Sequence, residues 1–400
     1  MSKHDVRQMK AGHHVMSISR QGGGLSEAVR HIARSLSERD VGVDVFALRD
    51  CESDRDLENW RGLNVHLFQT QGPRGLGYAR SMASEIAKVD ADLQHCHGLW
   101  LYASLAVLRW HKRTGKPYLI SPHGMLESRV ELQKSRLKKR IALALYQSAH
   151  LKNAACIHAL CEPEAMDIRA FGLKNPIAIV PNGVNLPDVS TAKPPAPWGG
   201  KIEAGRKVLL YLGRINPKKG LRHLVGAVEL MSAEGIWPSN WVVAIAGWDQ
   251  DGHQQELEAR IAGKSATRNI VFVGPLYGSD KDAAYRNSDA FILPSESEGL
   301  PLTVIEAWSY GLPVVMTPEC NIPQGFEGKA AIRMEANPGD AVSALKALFS
   351  MSDQERIAIG SRGLALVKER FTWSRVAAQM HAVYSWVVNG GDAPDSVIRN

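Results

Sequence analysis

The sequence predicts an α/β protein made of two doubly wound domains. Short apolar runs rich in β-branched residues alternate with stretches of helical period, a segment rich in Pro and Gly interrupts this alternation once, and the alternation then restarts. The length of 400 residues is about two to three times that of a typical domain. With 44% hydrophobic and 22% charged residues, the composition excludes a disordered or fibrous chain.

The first domain is predicted to span residues 1–187. Between its first two strands, Leu25, Val29, Ile32 and Leu36 fall on one face of a helix. Its predicted strands are 14–19, 42–48, 64–68, 93–97, 118–121, 156–160 and 177–181.

A linker is predicted at 188–205, where Pro, Gly and small polar residues are concentrated. The second domain follows at 206–372, and an amphipathic helix at 373–390 is expected to cross back to the first domain. We expect a ligand cleft between the two facing domains. The strands predicted in the second domain are 208–213, 241–247, 269–274, 290–295 and 313–317.

Charge and cysteine usage narrow the class of partner and the compartment. A net charge of +7 favours an anionic partner, whether a phosphorylated ligand, nucleic acid or an anionic membrane surface. The five cysteines are scattered, which fits reduced thiols in a cytoplasmic protein. The polar N-terminus and the absence of an apolar run near the ~18 residues that span a bilayer predict a soluble protein, or one attached peripherally to a membrane surface.

The loop "SRQGGGLSE" places three glycines between the first strand and the first helix. Backbone at Gly22, Gly23 and Gly24 could approach a phosphate at the helix start, where free N–H groups favour an anion. A tight turn with no ligand is the alternative. The loop fails as a nicotinamide-binding fingerprint, because that pattern needs Gly where Glu27 stands.

The loop "GRINPKKG" carries Arg214 and Lys219 between the first strand and first helix of the second domain. The two cations could converge on a diphosphate, arginine with its planar fork and lysine as a point charge. A solvated basic loop is the alternative interpretation.

The stretch "LPSESEGLPLTVIEAWSYGLPVVMT" contains Glu298 and Glu306, eight positions apart. A retaining glycosidase pair is disfavoured, since eight helical residues span roughly 12 Å and that chemistry needs about 5 Å. The spacing is more consistent with two carboxylates that bind different parts of one long ligand. As an alternative for Glu306, Thr303 followed by Glu306 matches the capping-box pattern.

Two His-Gly steps follow predicted strands of the first domain, at His97-Gly98 and His123-Gly124. A histidine there could donate to a hydroxyl or polarise a leaving group. A hydrogen-bonded structural role is the alternative. Metal binding by "HCH" is not favoured, because His95 and His97 have no third ligand nearby in the sequence.

Together these motifs resemble the retaining nucleotide-sugar glycosyltransferases of the GT-B fold, specifically glycosyltransferase family 4. The most specific part is "YLGRINPKKGL", "IAGWDQDG", "VFVGPLYG" and the stretch with the two glutamates, in family order and spacing. "HCHGLW", "ISPHGML" and "VPNGV" look like bacterial enzymes of exopolysaccharide or lipopolysaccharide synthesis. Pro301, Asn185 and Cys161 stand where many members have other residues.

The resemblance implies a role for each matched residue. Glu306 would bind the donor ribose and Glu298 the donor sugar, while Arg214 and Lys219 would neutralise the diphosphate. His123 would lie beside the donor sugar near the reacting carbon. Backbone N–H groups would also face the phosphates, and they belong to Leu302, Thr303, Gly23 and Gly24.

The implied function is retaining, metal-independent transfer of a sugar from a UDP- or GDP-linked donor to a saccharide or lipid-linked acceptor, in surface polysaccharide synthesis. No cofactor is expected. A non-catalytic nucleotide-sugar-binding protein and a GT-B epimerase or phosphorylase are the alternatives.

The basic segment, residues 129–145, could form an amphipathic helix on anionic lipid at the inner face of the cytoplasmic membrane. A surface helix that packs on the sheet is the alternative. No nucleic-acid partner is expected, because no interleaved aromatics or recognised module accompany the basic residues.

Overall fold

The computed structural model describes residues 8–72, 75–126 and 136–399. The chain forms two compact units. Unit 1 combines Met1–Gly183 with Trp373–Asn400, and unit 2 is Val184–Thr372. The segment predicted as a linker, 188–205, therefore belongs to unit 2, where Trp198 is buried in the hydrophobic core.

Unit 1 is built on a sheet of eight strands in the order β14-β7-β6-β5-β4-β1-β2-β3. Every pair is parallel except β14 with β7. The order reverses between β1 and β4, so the carboxyl ends of these two strands mark the point where such folds bind ligands. The strands are β1 Lys10–Val15, β2 Gly42–Leu48, β3 Asn64–Phe68, β4 Leu93–His97, β5 Tyr118–Ser121, β6 Cys156–Ala159, β7 Ile177–Ile179 and β14 Val397–Ile398.

Helices cover both faces of this sheet and create two buried clusters. The last helix of the chain packs on α1, and its Val376, Met380 and Tyr384 are buried in the same cluster as Val29 and Leu36 of α1. The helices of unit 1 are α1 Gly23–Ser37, α2 Ser53–Asp56, α3 Met82–Lys88, α4 Tyr102–Thr114, α5 Arg136–Ala142, α6 Ser148–Asn153, α7 Glu162–Ala170 and α15 Trp373–Asn389.

Unit 2 has six parallel strands in the order β10-β9-β8-β11-β12-β13, the doubly wound arrangement. Its order reverses between β8 and β11. The strands are nearly continuous apolar runs, as expected when helices cover both faces of a sheet. They are β8 Lys207–Leu212, β9 Trp241–Ala246, β10 Ile270–Gly274, β11 Ala290–Leu293, β12 Val314–Met316 and β13 Ala331–Arg333.

Seven helices surround the sheet of unit 2, and their buried residues join those of the strands in one cluster. Trp308 of the fourth helix is fully buried, and its indole N–H donates to the Ala330 carbonyl at 3.0 Å. The helices are α8 Leu221–Ala233, α9 His253–Ile261, α10 Gly278–Arg286, α11 Leu302–Ser309, α12 Pro323–Glu327, α13 Pro338–Ser350 and α14 Asp353–Leu366.

The first predicted strand is wrong in position. We expected a strand at 14–19, whereas β1 is Lys10–Val15 and Met16 lies in a loop with half of its surface exposed. The buried positions of β1 include His13 and His14, and these polar residues conceal the strand from a hydrophobicity argument. The other predicted strands begin and end within two residues of the observed bounds, while the short strands β13 and β14 were not predicted.

Candidate functional site

The site in unit 2 is formed by the loops that follow β8 and β11, at the point where the strand order reverses. The two loops are joined directly, since the Glu296 N–H donates to the Lys218 carbonyl at 2.8 Å. Gly220 has a φ of 64°, and a Cβ placed there would lie 1.9 Å from the Pro294 carbonyl oxygen. Only glycine lets the loops approach this closely.

Lys219 and Glu298 form an ion pair between these loops. Lys219 Nζ lies 2.6 Å from Oε1 and 2.8 Å from Oε2 of Glu298. Ser295 Oγ donates to Oε1 at 2.6 Å. The Lys219 side chain is 18% exposed and the Glu298 side chain 9%, so this charge pair is only slightly accessible to water.

The negative charge of Glu298 influences two buried neighbours. Burial, followed by the Glu298 charge, raises the pKa of Tyr211 well above its ordinary value. The same two causes raise the pKa of the Cys320 thiol to about 12. Both groups are therefore neutral at physiological pH, and the ion pair supplies the charge in this part of the site.

Glu306 is held by two side chains of α10 rather than by the start of its own helix. Lys281 Nζ lies 2.5 Å from Oε1, and the Tyr285 hydroxyl donates to Oε2 at 2.8 Å. The capping-box interpretation is wrong, because Pro301 is the N-cap of α11 and no side chain caps this helix. Lys281 and Tyr285 were not predicted from the sequence, since only the fold brings α10 beside Glu306.

Leu302 and Thr303 are the first two residues of α11, where backbone N–H groups have no intrahelical acceptor. The next N–H, that of Val304, donates to the Pro301 carbonyl at 3.2 Å. A helix start without a side-chain cap favours an anionic ligand, because its N–H groups and dipole are both positive there.

Arg214 lies on the loop after β8 and is exposed. Its guanidinium is 3.5 Å from Gln250 Oε1, its only hydrogen bond among the described residues. The backbone is fixed better than the side chain, since the Tyr211 hydroxyl donates to the Arg214 carbonyl at 2.7 Å. The cation is thus positioned by its backbone and remains available to a ligand.

In unit 1, the glycine loop exposes its backbone where α1 begins. Gly23 has a φ of 58°, and a Cβ at Gly23 or Gly24 would have no atom within 4 Å. Gly22 differs, because a Cβ there would lie 1.8 Å from Ser26 Oγ. The first glycine is therefore needed for packing, whereas the next two leave space beside the start of a helix that has no side-chain cap.

The two predicted His-Gly steps lie side by side. His97 Nδ1 is 3.1 Å from His123 Nε2, and the glycine after each histidine has a positive φ. His123 itself has a φ of 52°, an uncommon conformation for a residue with a side chain. The Gly124 N–H donates to Glu164 Oε1 at 2.7 Å and fixes the turn.

These two histidines belong to a larger cluster that was not predicted from the sequence. It also contains His13 of β1, His95 of β4 and His158 of β6, all buried. Burial is the main cause that lowers every pKa in this cluster, that of His158 to about 4 and those of His13 and His123 to about 3. The imidazoles are therefore neutral at physiological pH.

His13, His95 and His97 have ring nitrogens that all lie within 4.8 Å of one another, a spacing that could hold a metal ion. The third histidine, His13, was not predicted because it lies on another strand, paired in register with His95. Each of the six ring nitrogens has a hydrogen-bond partner within the protein. The geometry therefore favours a hydrogen-bonded cluster over a metal centre.

The basic segment lies partly outside the described residues, which resume at 136. Within the described part, Ile141 is 51% and Leu145 76% exposed. Lys139 Nζ lies 5.6 Å from the ring centre of Trp100. These two apolar side chains thus face solvent, which a helix with its apolar stripe packed on the sheet does not predict for them. Among the described residues, no helix is both long and apolar enough to cross a bilayer.

Both units match family models. Residues 23–183 match the glycosyl transferase 4-like domain, and residues 194–357 match the glycosyl transferases group 1 family. The fold and the edge of unit 2 define a GT-B protein with two Rossmann-like domains. The chain belongs to the group 1 glycosyltransferases of family 4.

Several curated proteins are similar in sequence. Sulfoquinovosyl transferase SQD2 of Arabidopsis thaliana is 30% identical over 46% of this chain, and O-antigen chain mannosyltransferase B of Escherichia coli is 30% identical over 44%. These matches span 35% and 45% of the two relatives' own lengths. A D-inositol 3-phosphate glycosyltransferase of Pseudarthrobacter chlorophenolicus is 24% identical over 90% of this chain and 89% of its own.

Two solved structures show the same fold. Sucrose-phosphate synthase from Thermosynechococcus elongatus has a TM-score of 0.74 at 17% identity, covering 96% of this chain and 100% of that one. Anabaena HepE in complex with UDP and glucose has a TM-score of 0.73 at 18% identity, covering 93% and 98%.

Proposed function

We propose that the protein is a retaining glycosyltransferase that moves a sugar from a nucleoside-diphosphate sugar to a saccharide or lipid-linked saccharide in surface polysaccharide synthesis. The observation that carries this proposal is the edge of unit 2, where two carboxylates, each paired with a lysine, accompany an uncapped helix start. The complex of HepE with UDP supports a UDP-linked donor. The O-antigen relative supports a bacterial polysaccharide acceptor.

The charges of unit 2 suit a diphosphate with a polar group on either side. Lys219 has three N–H donors and directs bonds to Glu298 from Nζ, so it can hold that carboxylate and still donate to a phosphate. Arg214 and the N–H groups of Leu302 and Thr303 would complete the diphosphate site. Glu298 would accept from the sugar hydroxyls, and Glu306 from those of the ribose.

In the proposed reaction the nucleoside diphosphate leaves with negative charge while the sugar becomes oxocarbenium-like. Fixed cations and helix-end N–H groups stabilise that charge and lower the barrier by several kcal/mol, so the mechanism requires no metal. Retention would follow from a same-face reaction in which the leaving phosphate takes the acceptor proton. The roles of Gly23, Gly24 and His123 beside the donor remain predictions.

Thermal unfolding with UDP, GDP, ADP, CMP and their sugar conjugates tests the donor. A native-state ligand at a hundredfold excess over its Kd adds about 2.7 kcal/mol, so the true donor should shift the wild type by several degrees. Arg214→Ala should abolish the shift. Lys264→Ala, which removes a cation paired with Glu229 on another part of unit 2, should retain it. No shift with any ligand would contradict the proposal.

Glu306→Gln separates nucleotide from sugar recognition. This variant should weaken both the free nucleotide and the conjugate, whereas Glu298→Ala should weaken only the conjugate. Equal affinities of Glu306→Gln and wild type for both ligands would remove Glu306 from the site.

The enzymatic part of the proposal is tested by product analysis. A transferase releases some donor sugar to water without acceptor, and His123→Ala should reduce this release while nucleotide binding persists. Binding without turnover would instead indicate a non-catalytic nucleotide-sugar-binding protein. Conversion of the donor sugar to an epimer, or phosphate-dependent cleavage of a saccharide, would indicate an epimerase or a phosphorylase.

We further propose a cytoplasmic protein that attaches peripherally to the anionic inner face of the membrane through the basic segment. Exposed Ile141 and Leu145, next to Lys139 and Arg140, support a helix that inserts apolar side chains between anionic headgroups. Wild type should co-sediment with anionic vesicles at low salt, and the double variant Ile141→Ser with Leu145→Ser should not. Met166→Ser, which changes a residue 67% exposed on α7, is the matched control. Failure of wild type to sediment would remove the proposal.

A further inference from the structure

Seven side chains of unit 1 form one unbranched chain of hydrogen bonds across the sheet, and we call it the histidine chain. It begins at the Val180 carbonyl and ends at His123. Each distance joins one member to the next: Val180 O to His158 2.7 Å, His158 to Ser121 2.6 Å, Ser121 to His95 2.7 Å, His95 to Tyr384 2.6 Å, Tyr384 to His13 3.1 Å, His13 to His97 3.0 Å and His97 to His123 3.1 Å.

The first bond fixes the direction of the chain. A carbonyl oxygen only accepts, so His158 must carry its proton on Nε2, the atom that faces Val180 O. A neutral imidazole has one proton, which leaves His158 Nδ1 as an acceptor. The Ser121 hydroxyl must therefore donate to His158.

The next members of the histidine chain are fixed in the same way, because each hydroxyl and each neutral imidazole has only one proton to donate. Because Ser121 has used its only proton, His95 Nε2 donates to Ser121, and His95 Nδ1 accepts from the Tyr384 hydroxyl. Tyr384 has then used its proton as well. His13 Nε2 must donate to the Tyr384 oxygen, which leaves His13 Nδ1 as an acceptor.

The last two rings follow. His97 Nε2 donates to His13 Nδ1, and His123 Nε2 donates to His97 Nδ1. All five histidines thus carry the proton on Nε2. The described residues supply no partner for His123 Nδ1, so the chain ends in an unprotonated nitrogen.

We propose that the histidine chain locks His123 in the Nε2–H tautomer and presents its Nδ1 as a hydrogen-bond acceptor to a sugar hydroxyl. The second half rests on the proposed function. An acceptor at this position favours a neutral sugar that offers a hydroxyl and disfavours a uronic acid, whose carboxylate would meet a lone pair. Tyr384 and Ser121 are positioning residues, because they act on the ligand only through His123.

Nitrogen-15 spectra of the histidine side chains test the lock without any ligand, because protonated and unprotonated ring nitrogens differ strongly in shift. The wild type should show Nε2–H for His123, whose signal is identified by its loss in His123→Gln. In Tyr384→Phe, His13 loses the acceptor for its Nε2–H. We expect His13, His97 and His123 to reverse to Nδ1–H, while His95 and His158 keep Nε2–H.

Tyr118→Phe is the matched control, since it removes another buried tyrosine hydroxyl, which donates to the His150 carbonyl at 2.6 Å outside the chain. It should leave every tautomer of the chain unchanged. An Nδ1–H signal for His123 in the wild type would overturn the proposal. Retention of Nε2–H by His123 in folded Tyr384→Phe would also overturn it, because the direction would then not depend on the Val180 anchor.

Binding of the sugar donor identified by thermal unfolding tests the second half of the proposal, in which His123 Nδ1 accepts a hydrogen bond from a sugar hydroxyl. A hydroxyl can donate or accept, whereas a carboxylate only accepts, so the tautomer reversal in Tyr384→Phe should raise the affinity for the uronic acid form of the donor relative to the neutral form. The change should be up to about tenfold, the equivalent of one hydrogen bond, and the affinity for the free nucleotide should not change. An unchanged ratio between the affinities for the neutral and the uronic acid forms would overturn a role for His123 Nδ1 in sugar recognition. If no nucleotide binds the wild type at all, the proposed function fails while the spectra still decide the tautomer.

Discussion

The sheet edges at the carboxyl ends of the strands carry opposite kinds of polar groups in the two units. In unit 2 the groups are ionised and paired, Lys219 with Glu298 and Lys281 with Glu306. In unit 1 they are imidazoles that burial keeps neutral. A charged edge can neutralise an anion. A neutral chain of directional hydrogen bonds can distinguish a ligand group that donates a hydrogen bond from one that accepts it.

The largest difference expected between the two units is in their stability to acid, because unit 1 should unfold first as the pH falls. A histidine whose pKa is lower in the folded state than the ordinary 6.5 contributes stability that is complete above pH 6.5 and is lost as the pH falls towards the folded value. Those folded values are about 3 for His13 and about 4 for His158. Each such histidine should cost about 1.4 kcal/mol per pH unit in this window.

Unit 2 should respond only at lower pH. Burial alone would raise the pKa of Glu296, but hydrogen bonds and charges from Arg222 and His223 outweigh it and lower the pKa. Stability from such a carboxylate is present above its ordinary pKa of 4.5 and is lost below it. Hydrogen exchange followed by peptide between pH 7 and 4.5 should show unit 1 losing protection first. His381→Gln changes a histidine of α15 that is not part of the histidine chain, and it should not alter the dependence of hydrogen exchange on pH. Loss of protection in unit 2 at the higher pH would contradict the contrast.

An intermediate effect is expected from Lys219→Ala. Glu298, 9% exposed, would keep only the Ser295 hydroxyl as a side-chain partner, and leaving a nearly buried carboxylate without its cation should cost about 3 kcal/mol in urea unfolding. Adding Glu298→Gln to this variant should restore part of the loss, since the uncompensated charge is gone.

Arg222→Ala serves as the comparison. Arg222 and Glu296 are 49% and 32% exposed, and removal of this ion pair should cost less than about 1 kcal/mol. Equal losses in Lys219→Ala and Arg222→Ala would mean that burial does not distinguish the two pairs.

The two units also differ in how much the sequence alone predicted. The strands of unit 2 are continuous apolar runs, so their positions and the loops with Lys219 and Glu298 followed from hydrophobicity and motif order. In unit 1, the polar His13 and His14 lie inside β1, and the strand was placed four residues too late.

Side-chain partners were the part that could not be predicted in either unit. Lys281 meets Glu306 across 25 positions, and Tyr384 meets His13 across 371. Such pairs depend on which elements the fold brings together, and a single sequence contains no periodic signal for them. The family motifs therefore located the candidate residues but not the groups that orient them.

The smallest expected effect on the stability of the free protein is that of Arg214→Ala, because this side chain has few partners within unit 2. The Arg214 side chain is exposed and has one long hydrogen bond to the described residues, to Gln250, so its removal should change the free energy of unfolding by less than about 0.5 kcal/mol. Lys219 stabilises the free protein through Glu298, whereas the Arg214 side chain contributes almost nothing to it. The ratio of lost ligand affinity to lost stability should therefore be much larger for Arg214→Ala than for Lys219→Ala. Urea unfolding with and without the nucleotide measures both quantities, and a similar ratio for the two variants would remove Arg214 from the proposed diphosphate site.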